Sequence, residues 1–99
     1  MSKIGVVAKI VAQPGKEQLA LTELKRMIGP TRKEPGCIKY VLHRSSQNPS
    51  EFWFVEEWES LAHLDKHKQT PHFLHLSEQK ANFAASGDII VLEPIDENN

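Results

Sequence analysis

Four of the five histidines in this chain lie in one segment, between residues 56 and 76, and a tryptophan lies in the same segment. Imidazole is the side chain that exchanges protons most readily near neutral pH, and it is also a common metal ligand. Such a cluster therefore predicts acid–base chemistry or metal binding in this part of the molecule. The rest of the chain should serve mainly to position it.

Two helix starts place the histidines relative to one another. Ser60 is a good N-cap for the first helix, and Thr70-Pro71 combines an N-cap with a proline at the first position of the second helix. His63 and His67 then lie four residues apart on one helix face, and His72 lies in the first turn of the next helix. These imidazoles are thus expected to converge where the preceding strand ends, at one end of a sheet.

A single domain covering residues 1–99 supplies the elements around this cluster. Strands are predicted at residues 3–12, 37–45, 51–58 and 89–92, with one helix after the first strand and two short helices before the last. This is the β-α-β-β-α-β order of α+β, ferredoxin-like folds with an antiparallel sheet. Residues 86–88 are expected to form a turn, and residues 93–99 a frayed polar tail.

The first helix has an apolar stripe that should cover one face of the sheet. Glu23 is among the charged residues placed on its opposite, solvent-facing side, and Gly29-Pro30 is expected to kink it. The stripe consists of Ala20, Leu21, Leu24, Met27 and Ile28.

The third strand carries large apolar side chains on both faces. Phe54, Glu56 and Trp58 share one face, whereas Trp53 and Val55 share the other. The helices of one chain can cover only one face, so the second face needs a partner sheet. A domain of this size also has little interior left to enclose a ligand. We therefore expect a homodimer whose sheets pack face to face.

Composition limits the classes of function. The net charge is −1, which argues against a general nucleic-acid-binding protein. No apolar segment is long enough to span a membrane and no secretory signal is recognisable, so we expect a cytoplasmic protein without membrane contact. The single cysteine, Cys37, fits a reducing compartment and is interpreted as a small buried hydrophobe.

Three segments of the chain carry a further signal. They are Glu34-Pro35-Gly36-Cys37, Glu56-Glu57-Trp58-Glu59-Ser60 with Leu61-Ala62-His63-Leu64 after it, and Gln69-Thr70-Pro71-His72-Phe73. Together they resemble the antibiotic biosynthesis monooxygenase family, and its quinol monooxygenase branch in particular. The resemblance implies a dimeric ferredoxin-like protein, of the dimeric α/β-barrel type, that oxidises a quinol or polycyclic phenol with O₂ and needs no metal, flavin or haem cofactor.

The resemblance and the clustered histidines together give the predicted site. His72 lies near the positive end of its helix, so it should stay neutral and act as the catalytic base, with His67 as the second choice. Glu56 would orient an imidazole or a substrate hydroxyl. The substrate pocket would also include a water-excluding wall of Trp58, Phe54 and Phe73, with Tyr40 and His63 as further candidates.

Other functions stay open from the sequence. The same family includes isomerases that degrade small signal molecules, and a non-enzymatic ligand-binding module is also compatible with the chain. A pocket lined by several lysines or arginines would favour a phosphorylated, sugar-like ligand, whereas a filled interior would favour the module. Haem degradation is disfavoured. The haem-degrading members of the family have a proximal histidine ten residues after a helical tryptophan, and the aligned positions here hold Ser77 and His67. The asparagine of their first strand is also absent from this chain's first strand. A metal ion on His63 and His67 is disfavoured because no third ligand has a suitable spacing.

Overall fold

A computed structural model describes residues 2–96 as four strands and four helices. The antiparallel sheet has the strand order β2-β3-β1-β4, so the predicted ferredoxin-like, α+β fold is confirmed. In chain order the elements are β1 (Ile4–Ala12), α1 (Glu17–Lys25), α2 (Ile28–Arg32), β2 (Cys37–Arg44), β3 (Glu51–Trp58), α3 (Leu61–His67), α4 (Pro71–Phe83) and β4 (Ala84–Leu92).

The core lies between one face of the sheet and the helices. Side chains alternate between the faces of a strand, and every second residue of β1 and β3 is buried in this core. Helical side chains pack on the same face of the sheet, and Phe83 at the end of α4 is fully buried there. Large buried apolar residues include Leu24, Met27, Phe52, Phe54, Trp58, Leu64, Leu76 and Phe83.

The opposite face of the sheet, here called the open face, carries an apolar row that crosses all four strands. Val55 of β3 is paired with Val41 of β2 and with Val7 of β1, which in turn is paired with Ile90 of β4. The three valines are half-buried, and Ile90 is 49% exposed. Within residues 2–96, no helix covers this row.

The first helical region differs from the prediction in two ways. The chain forms two helices instead of one kinked helix: α1 ends at Lys25, and Gly29-Pro30 lies inside the short α2. The placement of Glu23 on the solvent side is wrong, since its side chain is 8% exposed. Glu23 is partnered there by Arg26 at 3.5 Å and by His75 of α4 at 3.3 Å, so the carboxylate joins α1 to α4.

The predicted turn at residues 86–88 is also wrong, because these residues belong to β4. Ser86, Gly87 and Asp88 are paired with Val11, Ile10 and Lys9 of β1, so backbone pairing overrides a turn-like composition. Residues 93–96 are exposed and irregular, and the rest of the predicted tail, 97–99, lies outside the described residues. No helix within residues 2–96 is both long and apolar enough to span a membrane.

Candidate active site

Two N-caps hold the histidine-bearing helices in place. The Ser60 hydroxyl accepts a hydrogen bond from the backbone N–H of His63 at 3.3 Å, and the Thr70 hydroxyl accepts one from Phe73 at 3.3 Å. Both helices therefore begin where the sequence predicts. The short connection brings His67, the last residue of α3, close to the first turn of α4.

His67 is buried against aromatic side chains and is 2% exposed. Its ring centroid lies 4.8 Å from that of Trp58, 5.0 Å from Phe73 and 5.7 Å from Tyr40. This burial lowers the pKa of His67 below its ordinary value, although a hydrogen bond to Glu34 acts in the opposite direction. The imidazole is therefore neutral near neutral pH.

Glu34 joins the two central histidines through one carboxylate oxygen. Its Oε2 lies 2.7 Å from Nδ1 of His67 and 2.6 Å from Nε2 of His72. The carboxylate can accept a hydrogen bond from each ring, which places the His67 proton on Nδ1 and leaves its Nε2 as an acceptor. The His72 side chain is 21% exposed, so this cluster runs from the interior to the surface.

The turn before β2 positions Glu34. The backbone N–H of Glu34 donates to the carbonyl of Thr31 at 3.0 Å, and the carbonyl of Gly36 accepts from Glu59 at 2.9 Å. Gly36 has a φ of 84°, and a Cβ at this position would overlap the ring of His63. Glycine is therefore needed here both for the backbone conformation and for the close approach to α3.

The hydrogen-bond partner of Glu56 is a tryptophan two residues along the same strand. The indole N–H of Trp58 donates to its Oε1 at 2.9 Å. Burial raises the pKa of Glu56 to about 7, so the group is partly protonated at neutral pH. Burial likewise raises the pKa of the Tyr40 phenol above its ordinary value, with the Glu56 charge adding to the effect, and Tyr40 stays protonated.

A cavity of about 320 Å³ lies between the sheet and the helices beside His67. This volume is at the lower end of the range found for small-molecule sites. Its wall is mainly apolar and aromatic, but lysines are also part of it. The lining includes Met27, Tyr40, Phe54, Glu56, Leu64, His67, Lys68, Phe73, Leu76, Lys80 and Ile89.

The cavity brings together some of the predicted site residues and not others. It is lined by His67, Glu56, Phe54, Phe73 and Tyr40, while Trp58 is fully buried behind His67 and Glu56. His72 contacts Glu34 instead of the cavity wall. His63 is not part of the cavity lining, and its Nδ1 lies 2.8 Å from the Ser60 hydroxyl.

The fold brings together three side chains that could hold a metal ion, and they differ from the pair His63 and His67 that was considered in the sequence. Nitrogen and oxygen donors of Glu34, His67 and His72 all lie within 4.8 Å of one another. His63 is outside this group, so the candidate metal ligands do not include the i, i+4 pair of His63 and His67. Two imidazoles and a carboxylate suit Zn²⁺ and other transition metals. The same carboxylate oxygen is within hydrogen-bond distance of both rings.

Sequence reasoning assigned no role to three residues of this region. Glu34 is 33 positions from His67 and 38 from His72, so helical spacing does not connect them. The sequence feature that could have drawn attention to Glu34 is its position directly before Pro35-Gly36 and a strand. Lys68 and Lys80 also line the cavity, and each lies four residues after a buried leucine, Leu64 or Leu76, a spacing that could have indicated this position.

Comparison with known proteins agrees with the family resemblance of the sequence. The family model described as "Antibiotic biosynthesis monooxygenase" matches residues 3–79. A relative from Escherichia coli, named "Probable quinol monooxygenase YgiN", is 31% identical and aligns with 90% of this chain and 95% of its own length. The protein sll1783 from Synechocystis sp. is 34% identical over 83% of this chain, which spans 56% of that relative.

The solved structure of Rv0793 from Mycobacterium tuberculosis superposes with a TM-score of 0.92 at 31% sequence identity. It covers 99% of this chain and 100% of its own. Fold and relatives together define a small ferredoxin-like enzyme of the monooxygenase class. The chain belongs to the antibiotic biosynthesis monooxygenase family.

Proposed function

We propose that this protein oxidises a quinol or a polycyclic phenol with O₂ and without a cofactor, using His67 as the general base. The observation that carries the proposal is the position of His67, which lines the cavity while Glu34 holds its Nδ1 from outside the lining. The acceptor Nε2 is then available to a hydroxyl in the cavity. The sequence favoured His72 as base, but its Nε2 is bound to Glu34.

The chemistry needs a base, an apolar enclosure and O₂. A phenolate gives up electrons far more easily than a phenol, so proton transfer to His67 prepares the substrate for direct reaction with O₂. Four electrons then pass from the quinol to O₂: one oxygen atom enters a ring carbon as hydroxyl, the other leaves as water, and the quinol becomes a hydroxyquinone. Atoms and electrons balance without a further reductant.

Charged groups around His67 suit this proton transfer. Glu34 would stabilise the imidazolium that forms, and the partly exposed His72 would connect the carboxylate to solvent. The ammonium of Lys68 is near enough to influence the pKa values of both His67 and Glu56. Such a cation would stabilise a phenolate or a developing peroxide in the cavity.

The cavity also bears on the two other functions that the sequence left open, an isomerase of a small signal molecule and a non-enzymatic ligand-binding module. A filled interior would have favoured a non-enzymatic module, and a cavity of about 320 Å³ supports an enzyme instead. Lys68 and Lys80 in the lining are the feature that would fit an isomerase of a phosphorylated signal molecule. The aromatic lining of Tyr40, Phe54 and Phe73 favours the aromatic substrate.

We also propose that the protein is a homodimer in which the open faces of two sheets pack together. The apolar row centred on Val55 supports this arrangement, because no helix within the described part of the chain, residues 2–96, covers it. The cytoplasmic location expected from the sequence stays a prediction.

The base assignment is tested with metal-stripped protein and a panel of quinols and polyphenols, by O₂ uptake and product analysis. On a substrate oxidised by the wild type, His67→Ala should lower kcat by roughly 10²- to 10⁴-fold while ligand affinity is kept. Activity should partly return at higher pH, where the substrate ionises unaided. His75→Gln, at an exposed position of α4, is the control, because the amide can still donate a hydrogen bond to Glu23.

Two outcomes would contradict parts of this proposal. Full activity of His67→Ala would show that His67 is not the base. If His72→Ala lost activity while His67→Ala kept it, His72 would be the base. Loss of wild-type activity on metal removal, with recovery on adding a divalent ion, would overturn the cofactor-free mechanism. The donor group of Glu34, His67 and His72 would then be the place to look for the ion.

A further inference from the structure

The cavity extends along one face of α4 from the candidate base to a lysine. Phe73, Leu76 and Lys80 line it at spacings of three and four residues, as side chains on one helix face do. Phe73 packs against His67 with ring centroids 5.0 Å apart. Seven residues of helix correspond to about 10 Å, so Lys80 lies at the far end from His67.

Lys80 is half-buried, and its charge has no partner among residues 2–96. Its ammonium makes no ion pair or hydrogen bond with any of residues 2–96. Burial lowers the pKa of Lys80 below its ordinary value. A cation in a mostly apolar wall costs free energy unless an anion compensates it, and a bound ligand can supply that anion.

The acidic residues of the cavity do not neutralise Lys80. Asp88 is exposed and is paired across the strands with Lys9, whose ammonium lies over the Trp53 ring on the open face. Since cross-strand partners point to the same side, the Asp88 carboxylate also lies on the open face and only its backbone reaches the cavity. Glu56 is hydrogen-bonded to Trp58.

We propose that the substrate carries an anionic substituent, a carboxylate or a phosphate, which Lys80 binds at the end of the cavity opposite His67. The reactive hydroxyl and the anion would lie on opposite ends of an aromatic body in contact with Phe73 and Leu76. The placement of the hydroxyl rests on the proposed function. The binding of the anion does not, because it depends only on the cavity and on Lys80.

A binding experiment tests the anion site without any turnover. Calorimetric titration of the full chain should give tighter binding of naphthoate than of its neutral isostere naphthamide, by about tenfold or more. A parallel titration with naphthyl phosphate decides which of the two anions is preferred. Higher salt should weaken binding of the anions and leave naphthamide unchanged.

Substitutions of Lys80 complete the test. Lys80→Met keeps the aliphatic stem that packs in the wall and should abolish the preference for the anion, whereas Lys80→Arg should retain it. Lys66→Met, an exposed position of α3, is the control and should behave like the wild type. Equal binding of naphthoate and naphthamide by the wild type, absence of binding of both anions, or an unchanged preference in Lys80→Met would overturn the proposal.

A kinetic arm separates this proposal from the proposed function. A dihydroxynaphthalene with a carboxylate on its far ring is compared with the corresponding amide. Lys80→Met should raise KM for the carboxylate about tenfold with little change in kcat, and should leave both constants unchanged for the amide. If no quinol is oxidised but naphthoate still binds through Lys80, the oxygenase assignment fails while the anion site stands.

Discussion

At the scale of single residues, the buried carboxyl of Glu56 gives a prediction whose sign depends on pH. Its pKa is raised from 4.5 to about 7, so the folded protein favours the neutral form. This group's contribution to stability is therefore fully present below about pH 4.5 and is lost as the pH rises through about 7. The shift corresponds to at most about 3 kcal/mol of unfolding free energy.

Glu56→Gln should remove this loss, because an amide stays neutral and its oxygen can still accept the hydrogen bond from Trp58. The variant should be more stable than the wild type above pH 7, by up to about 3 kcal/mol, and the difference should disappear near pH 4. Urea unfolding at a series of pH values measures it. Glu57→Gln, on the open face of β3, controls for removing a negative charge from the same strand. A stability difference that does not vary with pH would contradict the prediction.

The residue scale also shows where prediction from sequence ends. N-caps and spacing predicted where His67 and His72 lie on their helices, because those features are local. The contact of both rings with Glu34 depends on how the turn before β2 meets the junction of α3 and α4, across more than thirty positions of sequence. Local patterns also could not reveal that His67, and not His72, faces the cavity.

At the scale of elements, the turn that holds Glu34 depends on Gly36. Gly36 and Gly15 both have φ near 80°, but a Cβ on Gly15 would meet no atom within 4 Å, whereas one on Gly36 would overlap His63. The two glycines are thus a matched pair. They differ in steric surroundings and share the left-handed backbone conformation.

Gly15→Ala should cost about 1 to 2 kcal/mol of unfolding free energy, from the backbone conformation alone. Gly36→Ala should cost about 1 to 3 kcal/mol more, because α3 must move away from the turn. Urea unfolding measures both losses of stability. In the O₂-uptake assay, with a quinol that the wild type oxidises, only Gly36→Ala should have a lower kcat. Equal destabilisation by the two substitutions would mean that the contact with His63 carries no weight.

Element boundaries were predictable where the chain itself carries the signal. Ser60, Thr70 and Pro71 mark the starts of α3 and α4, and alternating side chains mark β1 and β3. The start of β4 was missed because Ser86-Gly87-Asp88 has the composition of a turn. Pairing with β1 supplies the stability that local preference lacks, which is why strand assignments depend on context.

At the scale of the whole molecule, the open face is the surface on which the proposed homodimer depends. The row Val41, Val55, Val7 and Ile90 crosses all four strands, and Trp53 lies beside it. Alternation along β3 was enough to predict this apolar face from the sequence. The row itself depends on the register of all four strands, which only the assembled sheet defines. Specific interfaces of this kind bury about 1,200 Å² or more in total.

The wild type should therefore sediment as a dimer at micromolar concentration, and Val55→Asp should sediment as a folded monomer. The substitution places a charge at the centre of the row, where a paired sheet would bury it without a partner, while in the monomer it stays half-exposed. Leu74→Asp introduces the same charge on α4, at a position that is 51% exposed and outside the open face, and should leave the dimer intact. Circular dichroism checks that each variant is folded. A monomeric wild type, or a Val55→Asp variant that still sediments as a dimer, would mean that the sheets do not pair through this face.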